Sequence, residues 1–310
     1  MNIPQKLSIA IPFLNEADNL SRFPSRVLEL REVLKGFELE FLFVDDGSGD
    51  RSIEVLKSHN FSGARIIRLS KNFGSHQAIM AALEVATGNF FTFMSADCQE
   101  DVSLYPSLLK PICEGAADMV FGQRENRATG FFSRKASAAY NWLMRAFVFS
   151  DFPRSGVDVF LLSQDVMRAV RTIREKNSSI YGILFSIGFR KCFVPYRQLP
   201  RVMGSSKWSF GKKVALLTDT IVSFSLWPLR MITLLGLFFS ITGTCYGGWV
   251  IWNYFQGRIS LMGFPTVVSI MTFGFGLVFL MIGTLAEYLW RVFDQVRPRP
   301  GYVVAETITL

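Results

Sequence analysis

Residues 39–58 read LEFLFVDDGSGDRSIEVLKS, and the three parts of this stretch decide the fold. Leu39 to Val44 is a Phe- and Val-rich run of strand length, Asp45-Asp46-Gly47-Ser48 is turn chemistry, and Arg51 to Ser58 carries helical spacing. A strand, a polar loop and a helix in that order form one step of an alternating α/β chain.

The same step recurs on both sides. Apolar runs at Leu7 to Ile11, Ala64 to Leu69, Phe90 to Met94 and Met119 to Phe121 predict buried strands. Segments of helical spacing lie between them, at Glu16 to Lys35, Ser75 to Ala86 and Leu104 to Glu114. The expected fold is a Rossmann-like, mainly parallel sheet flanked by helices. In such a sheet ligands bind off the carboxyl ends of the strands. The polar clusters fall there: Pro12-Phe13-Leu14-Asn15-Glu16, Asp45-Asp46-Gly47-Ser48, Ser70-Lys71-Asn72-Phe73-Gly74 and Ser95-Ala96-Asp97-Cys98-Gln99. Any one of them is ordinary loop and cap chemistry, but four on one edge mark a site. Neither GxGxxG nor GxxxxGK[ST] occurs, so dinucleotide oxidoreduction and P-loop hydrolysis lack their phosphate cradle.

Composition changes near Trp227. Met231 to Tyr254 and Pro265 to Trp290 contain no Lys, Arg or Asp, and each exceeds the roughly 20 residues that cross a hydrocarbon core. Their one acid, Glu287, lies near the end of the second stretch, within reach of the interface. Arg230 precedes the pair and Arg291, Arg297 and Arg299 follow it, against Arg258 alone in the connector. That asymmetry predicts a multi-pass protein of the cell membrane with both termini in the cytoplasm. No apolar leader behind a basic segment suggests export of the large domain. Three parts follow: a cytosolic catalytic domain at 1–208, a juxtamembrane interfacial helix at 209–228, and a two-span hairpin with a short cytosolic tail at 229–310. Ser133 to Val148 has the pattern of a further helix lying in the interface.

The four cysteines, Cys98, Cys113, Cys192 and Cys245, are far apart and form no CxxC, which argues against zinc and a disulfide framework. The net charge of +8 is concentrated before the first span, where Arg190 to Arg230 holds eight basic residues against the single acid Asp219. That position favours anionic lipid headgroups and phosphates over nucleic acid.

Together these segments resemble the family 2 glycosyltransferases, and in particular the polyprenyl-phosphate glycosyltransferases that include dolichol-phosphate mannose synthases and bactoprenol glucosyltransferases. The resemblance covers nearly the whole chain. It runs through Pro12 to Glu16, Val44 to Ser52 (VDDGSGDRS), Leu69 to Ala78 (LSKNFGSHQA), Met94 to Asp101 (MSADCQED), Gly156 to Ser163 (GVDVFLLS), Arg201 to Trp208 (RVMGSSKW), Ser223 to Arg230 (SFSLWPLR) and both spans. It implies a GT-A-type catalytic domain that moves a sugar from a nucleotide-sugar, with UDP favoured, to a polyprenyl phosphate. Pro12, Leu14, Asn15, Glu16, Asp45 and Asp46 would hold the base and ribose, with Ser95, Ala96 and Arg124 also on the donor side. Asp97 and Gln99 would carry Mg²⁺ or Mn²⁺, and Arg201 and Lys207 would meet phosphate oxygens in a loop that Gly204, Ser205 and Ser206 let close. Asp158 would orient the acceptor, although the segment more commonly reads GDFRL. A capping or sheet-edge role for Asp158 stays open.

One departure is specific to this chain: the usual DxD reads Ser95-Ala96-Asp97, with a hydroxyl in place of the first carboxylate. It keeps open a catalytically silent membrane scaffold that binds nucleotide-sugar or lipid. A processive polysaccharide synthase shares the nucleotide-binding half, but its QxxRW string does not occur. Gly243 and Gly247 form a small-xxx-small pair compatible with homo-oligomerisation.

Overall fold

Two nine-residue strands, β1 (Gln5–Phe13) and β2 (Phe37–Asp45), pair in parallel from Gln5↔Phe37 to Phe13↔Asp45 and form the centre of the sheet. Both are buried on both faces through most of their length, which is why they read as continuous apolar runs instead of alternating ones. The structure, a computed structural model, describes residues 5–59, 61, 63–124, 141–146, 148–149, 151–153, 156–173, 179–199, 227–257, 263–296 and 300–310.

The remaining strands are β3 (Arg65–Leu69), β4 (Phe90–Phe93), β5 (Met119–Arg124), β6 (Val159–Ser163), β7 (Lys191–Tyr196) and β8 (Val304–Thr309). They complete one eight-stranded sheet in the order β7-β5-β6-β4-β1-β2-β3-β8. Parallel pairings join β1 to β2 and β4, β2 to β3, and β5 to β7, whereas β6 and β8 run antiparallel to their neighbours. The result is a mixed, mainly parallel GT-A-like sheet. From β1 the chain steps outward to β2 and β3, then returns to β4 on the other side of β1. This reversal opens a crevice at the carboxyl ends of β1 and β4, where open α/β sheets bind ligands.

Helices cover the sheet: α1 (Ala17–Leu20), α2 (Phe23–Val33), α3 (Ser52–Ser58), α4 (Ser75–Val85), α5 (Leu104–Cys113), α6 (Gln164–Thr172) and α7 (Ile180–Ser186). The single helix expected over Glu16 to Lys35 is broken at Ser21 and Arg22. Pro24 accounts for the restart, because its missing N–H and fixed φ suit the first turn of α2. Phe23, Val27 and Leu30, at helical spacing, are the residues that α2 buries. Arg171 of α6 donates to Leu83 O and Ala86 O, satisfying carbonyls left open at the C-terminal end of α4.

The chain divides into two units, Met1–Ile221 with Arg299–Leu310, and Val222–Pro298. In the second unit, α8 (Trp227–Phe255) and α9 (Phe264–Val296) contain the stretches Leu229–Trp249 and Phe273–Trp290, long and apolar enough to cross a membrane. Within this hairpin the helices meet where Gly236 faces Met281 and where the rings of Phe239 and Phe273 lie 5.4 Å apart. Of the expected interfacial segments, 141–146 is helical and Trp227 begins α8. Residues 133–140, 147 and 209–226 lie outside the described residues.

The last residues are not a free tail. Strand β8 pairs antiparallel with β3 from Leu69↔Val304 to Arg65↔Thr309, and Ser70 N donates to Val303 O at 2.9 Å. β8 is exposed along nearly its whole length, so no buried apolar run announced it. Its direction matters for the site. β8 begins, and β7 ends, at the edge of the sheet where β1 to β4 end.

Candidate active site

Three loops at this edge are bound to one another through their backbones. Asn15 N donates to Ser48 Oγ (2.9 Å) and Gly49 N to Asn15 Oδ1 (2.8 Å), while Glu16 N and Ala17 N donate to Ser52 Oγ (3.0 Å) and Asp50 Oδ2 (3.2 Å). Asn15 adopts φ 52°, a left-handed geometry that Asn tolerates better than most residues. Asp45 is fully buried at the end of β2, with Oδ1 accepting from Ser48 N at 2.8 Å and Oδ2 lying 3.6 Å from Arg68 Nε. Asp46 uses both carboxylate oxygens on the third loop, accepting from Phe73 N (2.7 Å) and Gly74 N (2.9 Å). Burial pushes its pKa up and those two N–H groups pull against that rise.

Gly47 sits where the second and third loops touch. Its φ is +80°, and a Cβ there would lie 2.7 Å from Lys71 C and 2.8 Å from Asn72 N. Both the backbone geometry and the clearance require glycine. Gly47→Ala is therefore expected to pry the two loops apart and to lower the melting temperature, since a strained backbone position costs roughly 1–3 kcal/mol. Thermal melts check this, and unchanged stability would contradict it.

The fourth loop follows β4. Ser95 Oγ donates to Glu100 Oε1 at 2.6 Å, and Glu100, only 4% exposed, keeps Oε2 buried with no hydrogen-bond partner. Burial pushes the Glu100 pKa up to about 7; the Ser95 hydroxyl opposes that rise and nearby Asp97 adds to it. Between them Cys98 holds φ 52°, and burial pushes its thiol up to about 11, so it is a neutral thiol. Gln99 faces the end of β7: its Oε1 accepts from Gln198 Nε2 at 2.8 Å and its backbone O from Leu199 N at 2.9 Å. Arg26 of α2 donates to the backbone O of Glu100 and pins the loop from the other side.

A second polar group stands at the same edge. Arg124 at the end of β5 forms an ion pair with Asp158 just before β6, and Tyr196 at the end of β7 lies 3.4 Å from Asp158 Oδ2. Tyr181 of α7 donates to the backbone O of Asp158. Burial alone would lower the Arg124 pKa, but the Asp158 carboxylate holds it above the usual arginine value. Tyr196 is raised by burial and then by Asp158, so its phenol is neutral.

The structure thus brings Pro12, Leu14, Asn15, Glu16, Asp45, Asp46, Ser95, Ala96, Asp97, Gln99, Arg124 and Asp158 to one edge of the sheet. Arg201 and Lys207 lie outside the described residues. Sequence reasoning missed Glu100, Tyr181 and Tyr196. The tyrosines come from elements that no strong periodicity marked, while Glu100 stood in the motif itself.

Among the described residues no group of three or more His, Cys, Asp or Glu could hold a metal ion by itself. The donors nonetheless fit a hard divalent cation: carboxylate oxygen is at hand, one buried carboxylate oxygen lacks a partner, and the neighbouring thiol is neutral. Mg²⁺ in particular uses one or two carboxylates and completes its shell with phosphate oxygens and water.

Comparison with known proteins agrees with this geometry. Residues 8–165 match the profile described as glycosyl transferase family 2. The chain is 30% identical over 305 residues to the SfII prophage-derived bactoprenol glucosyl transferase of Shigella flexneri, covering 97% of this chain and 98% of that one. It is likewise 30% identical over 302 residues to a prophage bactoprenol glucosyl transferase homolog of Escherichia coli K12, covering 96% and 98%. In fold it is similar to mannosyl-3-phosphoglycerate synthase from Rubrobacter xylanophilus, with a TM-score of 0.51 and 17% identity over 75% of each chain.

Proposed function

The chain belongs to glycosyl transferase family 2, and from that premise we propose that it moves a sugar from a UDP-sugar to a polyprenyl phosphate at the cytoplasmic face of a membrane. The reaction depends on Mg²⁺ or Mn²⁺ and inverts configuration at C1. The observation that carries this reading is the edge of the sheet that gathers the polar loops after β1 to β4, in a chain that also holds two helices long and apolar enough to cross a membrane. A very hydrophobic lipid then presents its phosphate to the site without leaving the bilayer. The bactoprenol named for the relatives supports the same acceptor class. Strand β8, which follows the hairpin in the chain, belongs to the same sheet-bearing unit as the residues before the hairpin.

In this reading the first three loops seat the donor's base and ribose through Pro12, Leu14, Asn15, Glu16 and Asp45, and Asp46 keeps the third loop closed on the second. Ser95 and Ala96 border the diphosphate, and Asp97 holds the cation, with Gln99 beside it. When bound, that cation neutralises the charge that grows on the departing nucleoside diphosphate. Arg124 and Asp158 fix the acceptor side of the pocket. An acceptor phosphate with a second pKa near 6 is largely anionic at neutral pH, so it needs little deprotonation, and an Asp158 already paired with Arg124 orients it. Its oxygen attacks C1 from the face opposite the diphosphate in a single displacement, with no covalent enzyme intermediate. Positioning and electrostatics supply the rate.

Arg201 and Lys207 complete the phosphate contacts. Arg201→Ala is expected to lower transfer by about tenfold or more, the scale of a lost charge-assisted contact of roughly 1.5–3 kcal/mol, with an unchanged melting temperature. An unfolded variant would make that residue structural. The proposal as a whole is tested by measuring UDP release from UDP-sugars with and without polyprenyl phosphate and divalent cation. Release that requires both supports it, and release indifferent to the lipid contradicts it.

A further inference from the structure

We propose that Glu100 supplies the carboxylate missing at position 95, so that the cation-binding pair of this chain is Asp97 with Glu100. The inference deepens the cation-dependent transfer proposed above and rests on it.

Three observations point the same way. The Ser95 hydroxyl, at the position where a carboxylate is absent, donates to Glu100 Oε1 at 2.6 Å, so the Glu100 carboxylate stands directly beside the vacated position. The second oxygen, Oε2, is buried with no hydrogen-bond partner, on a side chain only 4% exposed. A buried carboxylate oxygen without a hydrogen bond is disfavoured in a purely structural role, and a bound ion is one of the partners that satisfies such an atom. Finally, Cys98 N donates to Ser95 O at 3.1 Å, a turn that folds the segment carrying Asp97 and Glu100 back on position 95. No lysine or arginine side chain is ion-paired with Glu100 among the described residues; Arg26 donates to the backbone O of Glu100 and pairs with Glu29.

Gln99 sharpens the assignment. Its Oε1 is engaged by Gln198 Nε2 at 2.8 Å and ties the loop to the end of β7. The isolated bridge between Glu100 and Gln198 fixes the same contact through the backbone. Gln99 thereby ties its loop to β7, and Glu100 Oε2 is the carboxylate oxygen of that loop with no hydrogen bond of its own.

The test uses the full-length protein in detergent, with free Mn²⁺ counted by electron paramagnetic resonance during titration in the presence of UDP. Glu100→Gln keeps the shape and the Ser95 hydrogen bond, so it is expected to fold and to weaken Mn²⁺ binding about tenfold or more, the scale seen when groups at a metal site are removed. Its affinity for UDP without metal should be unchanged. Ser95→Ala removes only the hydroxyl that holds the carboxylate, and is expected to weaken Mn²⁺ binding less than Glu100→Gln. Unaltered Mn²⁺ affinity in Glu100→Gln, beside a parent protein that binds Mn²⁺ and an Asp97→Asn variant that does not, overturns this inference and leaves the proposed function standing. Loss of metal-free UDP binding equal to the loss of Mn²⁺ binding overturns it too, since Glu100 would then merely hold the loop. A parent protein that binds no Mn²⁺ with UDP present overturns both the inference and the cation dependence.

Discussion

Asp97→Asn is expected to abolish sugar transfer, with kcat down by at least about a hundredfold, the magnitude typical of removing one group that stabilises transition-state charge. The residue stands in the loop after β4, at the crevice where the chain reverses from β3 back across β1. Its neighbour at position 95 is a hydroxyl, so the loop has no first DxD carboxylate to compensate from that position. The substitution also relieves repulsion with Glu100, and the variant should therefore melt no lower than the parent. Steady-state transfer with Mn²⁺ and a thermal melt test both statements. Near-parent, metal-dependent turnover would remove Asp97 from the site.

Asp158→Ala is expected to have the next largest effect, and on stability as well as turnover. Asp158 and Arg124 are each roughly three-quarters buried, at 22% and 23% side-chain exposure. Removing the carboxylate strands a guanidinium that Asp158 had kept charged against burial, and deprives the Tyr196 hydroxyl of its acceptor. A loss of about 2–3 kcal/mol is expected, at the lower end for broken buried pairs because water still reaches this one. The double variant Arg124→Met/Asp158→Ala should be more stable than Asp158→Ala alone while remaining inactive, because it removes the stranded charge but not the need for the pair. Denaturant unfolding of the four proteins in this cycle measures the coupling. Additive losses would mean that the pair is not an energetic unit.

The contrast between these two residues reflects what the sequence could reveal. Strands β1 to β5 were legible because buried parallel strands read as unbroken apolar runs, and the polar loops were legible because Asp, Asn and Gly recur at each strand end. β7 is half-buried and carries Pro195, and β8 is almost wholly exposed, so neither carries that signal. β6 was visible as a motif around Asp158 but not as a strand, and only its antiparallel insertion between β4 and β5 brings Asp158 against Arg124. Within the site, residue type predicted location, and the structure adds the partners that each side chain has. Asp46 was grouped with the nucleotide contacts, and both its oxygens accept backbone N–H groups of the third loop. Gln99 was grouped with the metal, and its amide oxygen accepts from Gln198. Side-chain partners of this kind depend on which loops meet, and no spacing along one segment encodes that.

The central claim, transfer of a sugar to a lipid phosphate, is tested most directly by incubating the detergent-purified protein with undecaprenyl phosphate, Mg²⁺ or Mn²⁺, and a panel of radiolabelled UDP- and GDP-sugars. Label is then counted in the organic phase. The account predicts label from one UDP-sugar, dependent on the lipid and abolished by EDTA. No organic-phase label from any donor, in a preparation that binds UDP, would contradict it.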